Sequence, residues 1–240
     1  MNKTLSFALA LALFGIPLLF ASTTVRADEI QKDQDRLQSA GQVMKEILDI
    51  PDDIPQSLLD KADCVIVLPT VVKAAFIVGG QYGHGAMTCR SGDNFQGPWG
   101  APTLMNLEGG SFGLQIGGQA TDFVLLVMNT RGASSILESK VKLGADVSAA
   151  AGPVGREAEA DTDVAMRAEF LTYSRARGLF AGISLEGSTL RPDNDGNKRI
   201  YGKEIPAKEI ALHGAVPIPP SARLLIETLN HHSPKNLAAK

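Results

Sequence analysis

What this 240-residue chain has little of does much of the narrowing. It contains two cysteines, Cys64 and Cys89, and four histidines, His84, His213, His231 and His232. A structural zinc site takes four ligands in close order, and neither residue type stands at such a spacing, so no metal and no cofactor is expected. Positive charge is not in excess, because 23 Lys and Arg against 26 Asp and Glu give a net charge of −3. Nonspecific affinity for nucleic acid needs a basic surface, so nucleic acid is not an expected partner. Phosphate cradles are missing too. Gly152-Pro153-Val154-Gly155-Arg156 lacks the lysine and hydroxyl residue of a P-loop and reads as a turn closing a strand. There is no dinucleotide fingerprint, no adjacent cysteine and histidine and no pair of acids on one helix face. The chain is not expected to be an enzyme.

Long apolar runs are confined to the amino terminus. Residues 1–27 have the make-up of a secretory signal: Lys3 gives the positive start, Leu5 to Phe20 the apolar core, and Val25-Arg26-Ala27 a small-residue cleavage site. The run is short for the roughly 20 residues a membrane span needs, and Pro17 lies inside it. No cysteine stands near the cleavage point to carry a lipid anchor. The expected location is periplasmic or secreted. Cleavage removes Lys3 and Arg26 and no acid, which takes the net charge from −3 to −5. In an oxidising compartment a disulfide between Cys64 and Cys89 is expected, with two separate buried thiols as the alternative.

Glycine, by contrast, is abundant at 24 residues, above the usual share of about 7%, with pairs at Gly79-Gly80, Gly109-Gly110 and Gly117-Gly118. Such pairs suit tight turns and close backbone contacts in a β-rich fold. The stretch Glu108–Asn129 organises the rest. Phe112, Leu114 and Ile116 alternate with Gly113, Gln115 and Gly117 like a half-buried strand, and Phe123–Met128 is apolar throughout like a central one. The two read as adjacent strands.

Upstream, Ile30, Leu37, Met44, Ile47 and Leu48 place one apolar stripe on an amphipathic helix over Asp28–Ile50 that is expected to dock on its own domain, with contact to a membrane or partner as the alternative. A short helix follows near Pro55, carrying Leu58 and Leu59. Cys64–Leu68, Ala74–Gly80 and Gly85–Arg90 read as three strands of a meander. Ser91–Pro102 is a loop whose single tryptophan, Trp99, is expected to pack onto the core, with a membrane-interface anchor as the alternative. Downstream come a helix over Arg131–Ser139 and strands over Ala145–Ala151, Arg167–Ser174 and Leu179–Leu185. A loop over Arg191–Lys198, a helix over Ser221–Leu229 and a disordered tail from His231 complete the chain. The expected class is α+β, a β-dominated antiparallel sheet or partly closed barrel with an amino-terminal amphipathic helix and a few short helices. The divisions are a signal at 1–27, the helix at 28–53, the main domain at 54–212 and a helix with tail at 213–240.

Two motifs invite chemistry. Gly109-Gly110-Ser111-Phe112-Gly113 fits the G-x-S-x-G pattern of a serine esterase, with Asp146 and His213 in the expected order, but strand-like alternation follows Ser111 where a helix is required. Asp193, Asp195, Asn197 and Glu204 fall on calcium-loop positions, yet Lys198 stands where glycine is needed. An ordinary turn is the expectation there.

The central stretch, together with KADCVIVLPTVVKAAFIVGGQYGHG (61–85), KLGADVSAAAGPVGR (142–156) and YSRARGLFAGISLEG (173–187), closely resembles the SYLF domain family over roughly Ile54 to Leu212. The resemblance implies a noncatalytic lipid-binding module, of the kind for which phosphoinositide and actin binding are described in eukaryotic members. For an exported protein the expected partner is an anionic phospholipid surface rather than cytoplasmic actin, with a protein-interaction scaffold of the envelope as the alternative. Against an acidic overall charge, attraction to anionic lipid needs a local basic patch. Lys61 and Lys73, flanking the first strand, and Arg175 and Arg177, in the tight connection of YSRARGLF, are expected to converge as lipid-binding residues.

Overall fold

Pro69 and the glycines of 79–85 do not break the meander as their composition suggests. In the computed structural model, which describes residues 18–50, 54–75, 78–92, 94–112, 117–154, 167–176, 179–182 and 185–238, the three expected strands are two long ones, β1 (Cys64–Ala75) and β2 (Val78–Cys89). A β-bulge absorbs the proline. Pro69 and Thr70 together stand opposite Asp122 of a neighbouring strand, where the register slips by one residue. Thr70 takes a φ of +54°, and its N–H donates to Asp122 Oδ1 at 2.9 Å. The proline, which has no N–H to offer the ladder, thus sits where the ladder is already interrupted.

The remaining strands are β3 (Thr103–Phe112), β4 (Gly117–Val127), β5 (Val141–Lys142), β6 (Ala149–Ala151), β7 (Phe170–Ala176), β8 (Leu179–Gly182) and β9 (Ser188–Pro192). They form one sheet in the order β5-β9-β3-β2-β1-β4-β7-β6, with β8 also paired to β7. The sheet curls strongly into a half-barrel, which matches the expected α+β class. It is mixed rather than wholly antiparallel, because β6 runs parallel to β7. The two strands of the central stretch are β3 and β4, and they are not neighbours: the β1–β2 hairpin lies between them. Leu114 and Ile116 fall outside the described residues. β4 is central, and Phe123–Val127 is wholly buried, as its unbroken apolar run requires.

Strand alternation splits the core into two layers. On a first face Val65, Val67, Val124, Leu126 and Leu171 pack against Leu37, Met44 and Ile47 of helix α1 (Leu18–Leu48). On the second face Ile66, Phe123, Leu125 and Phe170 meet the helical residues Ile136 and Ala211. The shorter helices are α2 (Gln56–Leu59), α3 (Thr130–Glu138), α4 (Asn194–Tyr201), α5 (Ala207–Ala211) and α6 (Arg223–His232). Helix α6 crosses α1 so closely that a Cβ on Gly41 would stand 2.8 Å from the Leu225 nitrogen. The stripe on α1 therefore docks on its own sheet, as expected.

Two segments are more ordered than their composition suggests. The polar run 191–198 is the end of β9 and the start of α4, whose N-cap, Asp193, accepts from the Gly196 N–H at 3.0 Å. The tail expected to be disordered begins inside α6 and then runs as a pinned strap, with the Leu237 N–H donating to the Asp60 carbonyl at 2.7 Å. Among the described residues no helix is long and apolar enough to cross a membrane.

Candidate functional site

The bulge in β1 changes which side chains face outward. Before it, Val65 and Val67 lie on the first face; after it, Val71 joins the second-face core and Val72 takes the first. Val72 therefore falls in one lateral row with Tyr82, Glu108 and Ala120, the directly paired positions of β1, β2, β3 and β4. The next row toward the strand ends pairs Ala74 with Gly80 and Gly118, and Gly80 with Gly110. Helix α1 covers the sheet below these rows but not the rows themselves. Val72 is 49% and Tyr82 50% exposed, and Gly80, Gly110 and Ala120 are exposed as well. The result is a shelf of mostly small residues on which Val72 and Tyr82 stand, with Glu108 beside them.

Charges frame the shelf, and they are already matched. Arg191 donates to Glu108 at 2.7 Å on one side. On the other, Arg175 bonds Asp122 at 2.9 Å and also Glu46 of α1. Burial works against the Arg175 charge, but its bonds to Glu46 and Asp122 hold the guanidinium above its usual pKa. Gln42, together with Arg175, keeps the Glu46 carboxyl below its ordinary range. Where the shelf passes under α1, His84 Nδ1 lies 2.5 Å from Asn106 Oδ1, and its ring meets that of Tyr82 edge to face at 4.5 Å. Burial lowers the His84 pKa against the opposing pull of its bond to Asn106. Beneath the helix Arg36 bonds Asp193 at 2.8 Å, and Arg199 bonds Asp33 at 2.6 Å. These pairs lock α1 to α4 and to the end of β9.

The basic residues expected to converge are spread more widely. Lys73 lies at the shelf end of β1, paired with Gln81 and Gln119, and Arg175 pairs with Asp122 two strands away. Lys61 precedes β1 at its far end, so the strand itself separates it from Lys73 by about 30 Å at the usual rise. Arg177 falls outside the described residues. A single cluster of all four is thus not formed, because β1 is one continuous strand rather than two short ones.

Ser111 lies within β3, in register with Gly79, and the next described element is another strand, β4. That is not the strand-to-helix turn an esterase needs. Asp146 accepts from the Lys142 N–H at 2.8 Å in a local turn, and His213 pairs with Glu209 at 3.0 Å. Among the described residues no group of three His, Cys, Asp or Glu side chains could hold a metal ion. Asn197, one of the calcium-template residues, bonds the Leu104 N–H at 2.8 Å and Thr103 at 2.7 Å instead. Cys64 and Cys89 form the expected disulfide, across directly paired positions of β1 and β2.

Sequence reasoning did not single out Val72 or Tyr82. The available signal was Val71-Val72, two adjacent apolar residues after a proline inside a strand, of which alternation must turn one outward.

A profile of the Ysc84 family, described as Las17-binding protein actin regulator, matches residues 108–232, just over half of the chain. The chain is 39% identical over 181 residues to an SH3 domain-containing protein of Schizosaccharomyces pombe, covering 74% of this chain and 41% of that protein. It is 35% identical over 179 residues to protein YSC84 of Saccharomyces cerevisiae, covering 73% and 37%. It is also 35% identical over 205 residues to SH3 domain-containing YSC84-like protein 1 of Rattus norvegicus, covering 82% and 59%. The chain thus spans roughly two to three fifths of the lengths of these relatives.

Proposed function

Because the chain belongs to the Ysc84 family of SYLF-domain proteins, we propose that it is an exported, noncatalytic binding module that docks on anionic phospholipid surfaces through the shelf of its sheet. The observation that carries this reading is the half-exposed pair Val72 and Tyr82, in directly paired positions beside the exposed Gly80, Gly110 and Ala120. An aliphatic group beside a phenol suits the boundary between lipid headgroups and acyl chains. Charge plays the smaller part, because Arg175 and Arg191 are spent on carboxylates. Liposome flotation tests the reading. The protein should float with anionic vesicles, less with neutral ones, and Val72→Thr combined with Tyr82→Ser should weaken binding more than about tenfold, since 1.4 kcal/mol is one decade. Wild-type protein that stays in the pellet with every vesicle composition overturns it.

Export is part of the proposal. Among the described residues the buried positions of α1 begin at Asp33, downstream of the expected cleavage point. Intact-mass analysis of material from the producing cell should give Asp28 as the first residue; full-length chain throughout counts against export. A second reading comes from the family description, which names actin. The expectation against actin rests on export alone, and cosedimentation with actin filaments by a protein that ignores vesicles would favour that reading instead.

A further inference from the structure

At the end of the sheet opposite the shelf, the carboxyl-terminal strap is held by residues that flank the disulfide. Ser233, which follows α6, is wholly buried. Its Oγ donates to Asp60 Oδ1 at 2.6 Å and accepts from Arg90 Nη2 at 2.6 Å, while its carbonyl accepts from Trp99 Nε1 at 2.9 Å. Asn236 donates to Asp63 Oδ1 at 2.9 Å and to the Phe95 carbonyl at 3.1 Å. Arg90 is itself fully buried, with its guanidinium 4.3 Å over the Trp99 ring and its Nε donating to the Ala62 carbonyl at 3.2 Å. Burial brings the Arg90 pKa down to about 10 against the opposing pull of Asp60 and Asp63. The arrangement therefore depends on holding this cation in register with its partners.

The two anchors are sequence neighbours of the two cysteines. Asp63 precedes Cys64, Arg90 follows Cys89, and the Arg90 N–H donates to the Asp63 carbonyl at 2.9 Å. The covalent bond thus fixes the spacing of the pair that grips Ser233 and Asn236. We infer that the Cys64–Cys89 disulfide is a redox-linked clasp on the strap Ser233–Leu237, which seals Arg90 and Trp99. Cys64 and Cys89 are wholly buried, so opening the bond takes a dithiol reductant that reaches it when this end of the sheet opens locally. Thiol–disulfide exchange passes two electrons and two protons to the protein, the sulfur–sulfur bond breaks to leave two thiols, and the reductant closes its own disulfide. Asp63 and Arg90 then keep the backbone bond between them and their bonds to Ala62, Ser233 and Asn236 but lose the covalent tie between their strands at the end of the ladder, while the doubly covered middle of the sheet keeps its packing. This device is independent of the lipid reading.

Trp99 is the single tryptophan of the chain, so its fluorescence reports the strap directly. Acrylamide quenching is measured on the folded protein before and after dithiothreitol, with thiol titration to confirm reduction and far-ultraviolet circular dichroism to follow the sheet. The expected result is quenching that rises several-fold with an unchanged dichroism spectrum. The Cys64→Ala, Cys89→Ala double variant should show the same, and Ser233→Ala should reproduce part of the rise in oxidised protein. Three results overturn the inference: quenching that does not change once two thiols titrate, a folded protein from which the dithiol releases no thiols, or loss of the dichroism spectrum along with the quenching change or in the double variant, which would make the disulfide a general brace.

Discussion

At one end of β1, Val72 faces Tyr82 across the ladder with both side chains half exposed; at the other, Cys64 faces Cys89 with both wholly buried. The strand is the same and its pairing partners are the same, so the difference lies in what covers them. The disulfide end has α6, the strap and a buried cation to fill the space over the sheet. Among the described residues the shelf end has neither helix nor strap on its first face, and Arg175 and Arg191 beside it are paired with carboxylates. Burial at one end supplies the stability that leaves the other free to stay open, since apolar surface left in water contributes nothing to folding. The bulge at Pro69-Thr70 is the boundary, because it is there that the outward-facing set changes.

Glycines on the two sides of that boundary sharpen the comparison most. Gly85 of β2 lies under the bulge, and a Cβ there would stand 1.9 Å from the Val67 carbonyl oxygen and 2.8 Å from the Leu68 Cα. Both contacts are backbone and cannot rotate away. Gly85→Ala should therefore force β1 and β2 apart and lower stability by about 3 kcal/mol or more. Gly80, on the shelf, has its nearest heavy atom, the Gly109 carbonyl oxygen, 3.9 Å from the same test position. Gly80→Ala should be neutral or raise stability by up to about 1 kcal/mol, through loss of chain entropy in the unfolded state. Urea denaturation of the two variants checks the pair. Equal midpoints would mean that the bulge does not divide the sheet into a tight part and an open one.

Much of this fold was legible in the residues. The α1 stripe, the unbroken run of β4, the core role of Trp99 and the Cys64–Cys89 pairing all follow from periodicity or composition, because each is a local pattern with one packing solution. The strand order was not legible. Nothing local to Glu108–Asn129 records that the β1–β2 hairpin sits between β3 and β4. The strap was missed for a related reason: Ser233 and Asn236 are polar and read as solvated until Arg90, Asp60 and Asp63 are brought to them from residues more than a hundred positions away. The basic patch was misjudged because charge clustering was read along the chain. In the fold a continuous β1 separates Lys61 from Lys73, and Arg175 meets two acids that sequence distance had hidden.

The smallest expected effect is the most informative about the shelf. If Val72 and Tyr82 are exposed for binding rather than left over from packing, replacing them should change stability very little. Each already leaves about half of its surface in water, and neither belongs to a buried cluster. Val72→Thr with Tyr82→Ser keeps a β-branched residue at one site and a hydroxyl at the other, and exposed substitutions away from caps and cavities usually stay within about 0.5 kcal/mol. The edge-to-face contact of Tyr82 with His84 would be lost, and at such an exposed position it is worth no more than a few tenths beyond burial, below the roughly 0.5–1.5 kcal/mol of buried aromatic pairs. Thermal unfolding should therefore superpose on wild type while flotation with anionic vesicles falls sharply. A large fall in melting temperature would show that the two side chains serve the fold, and the contrast between the two ends of β1 would then be one of degree.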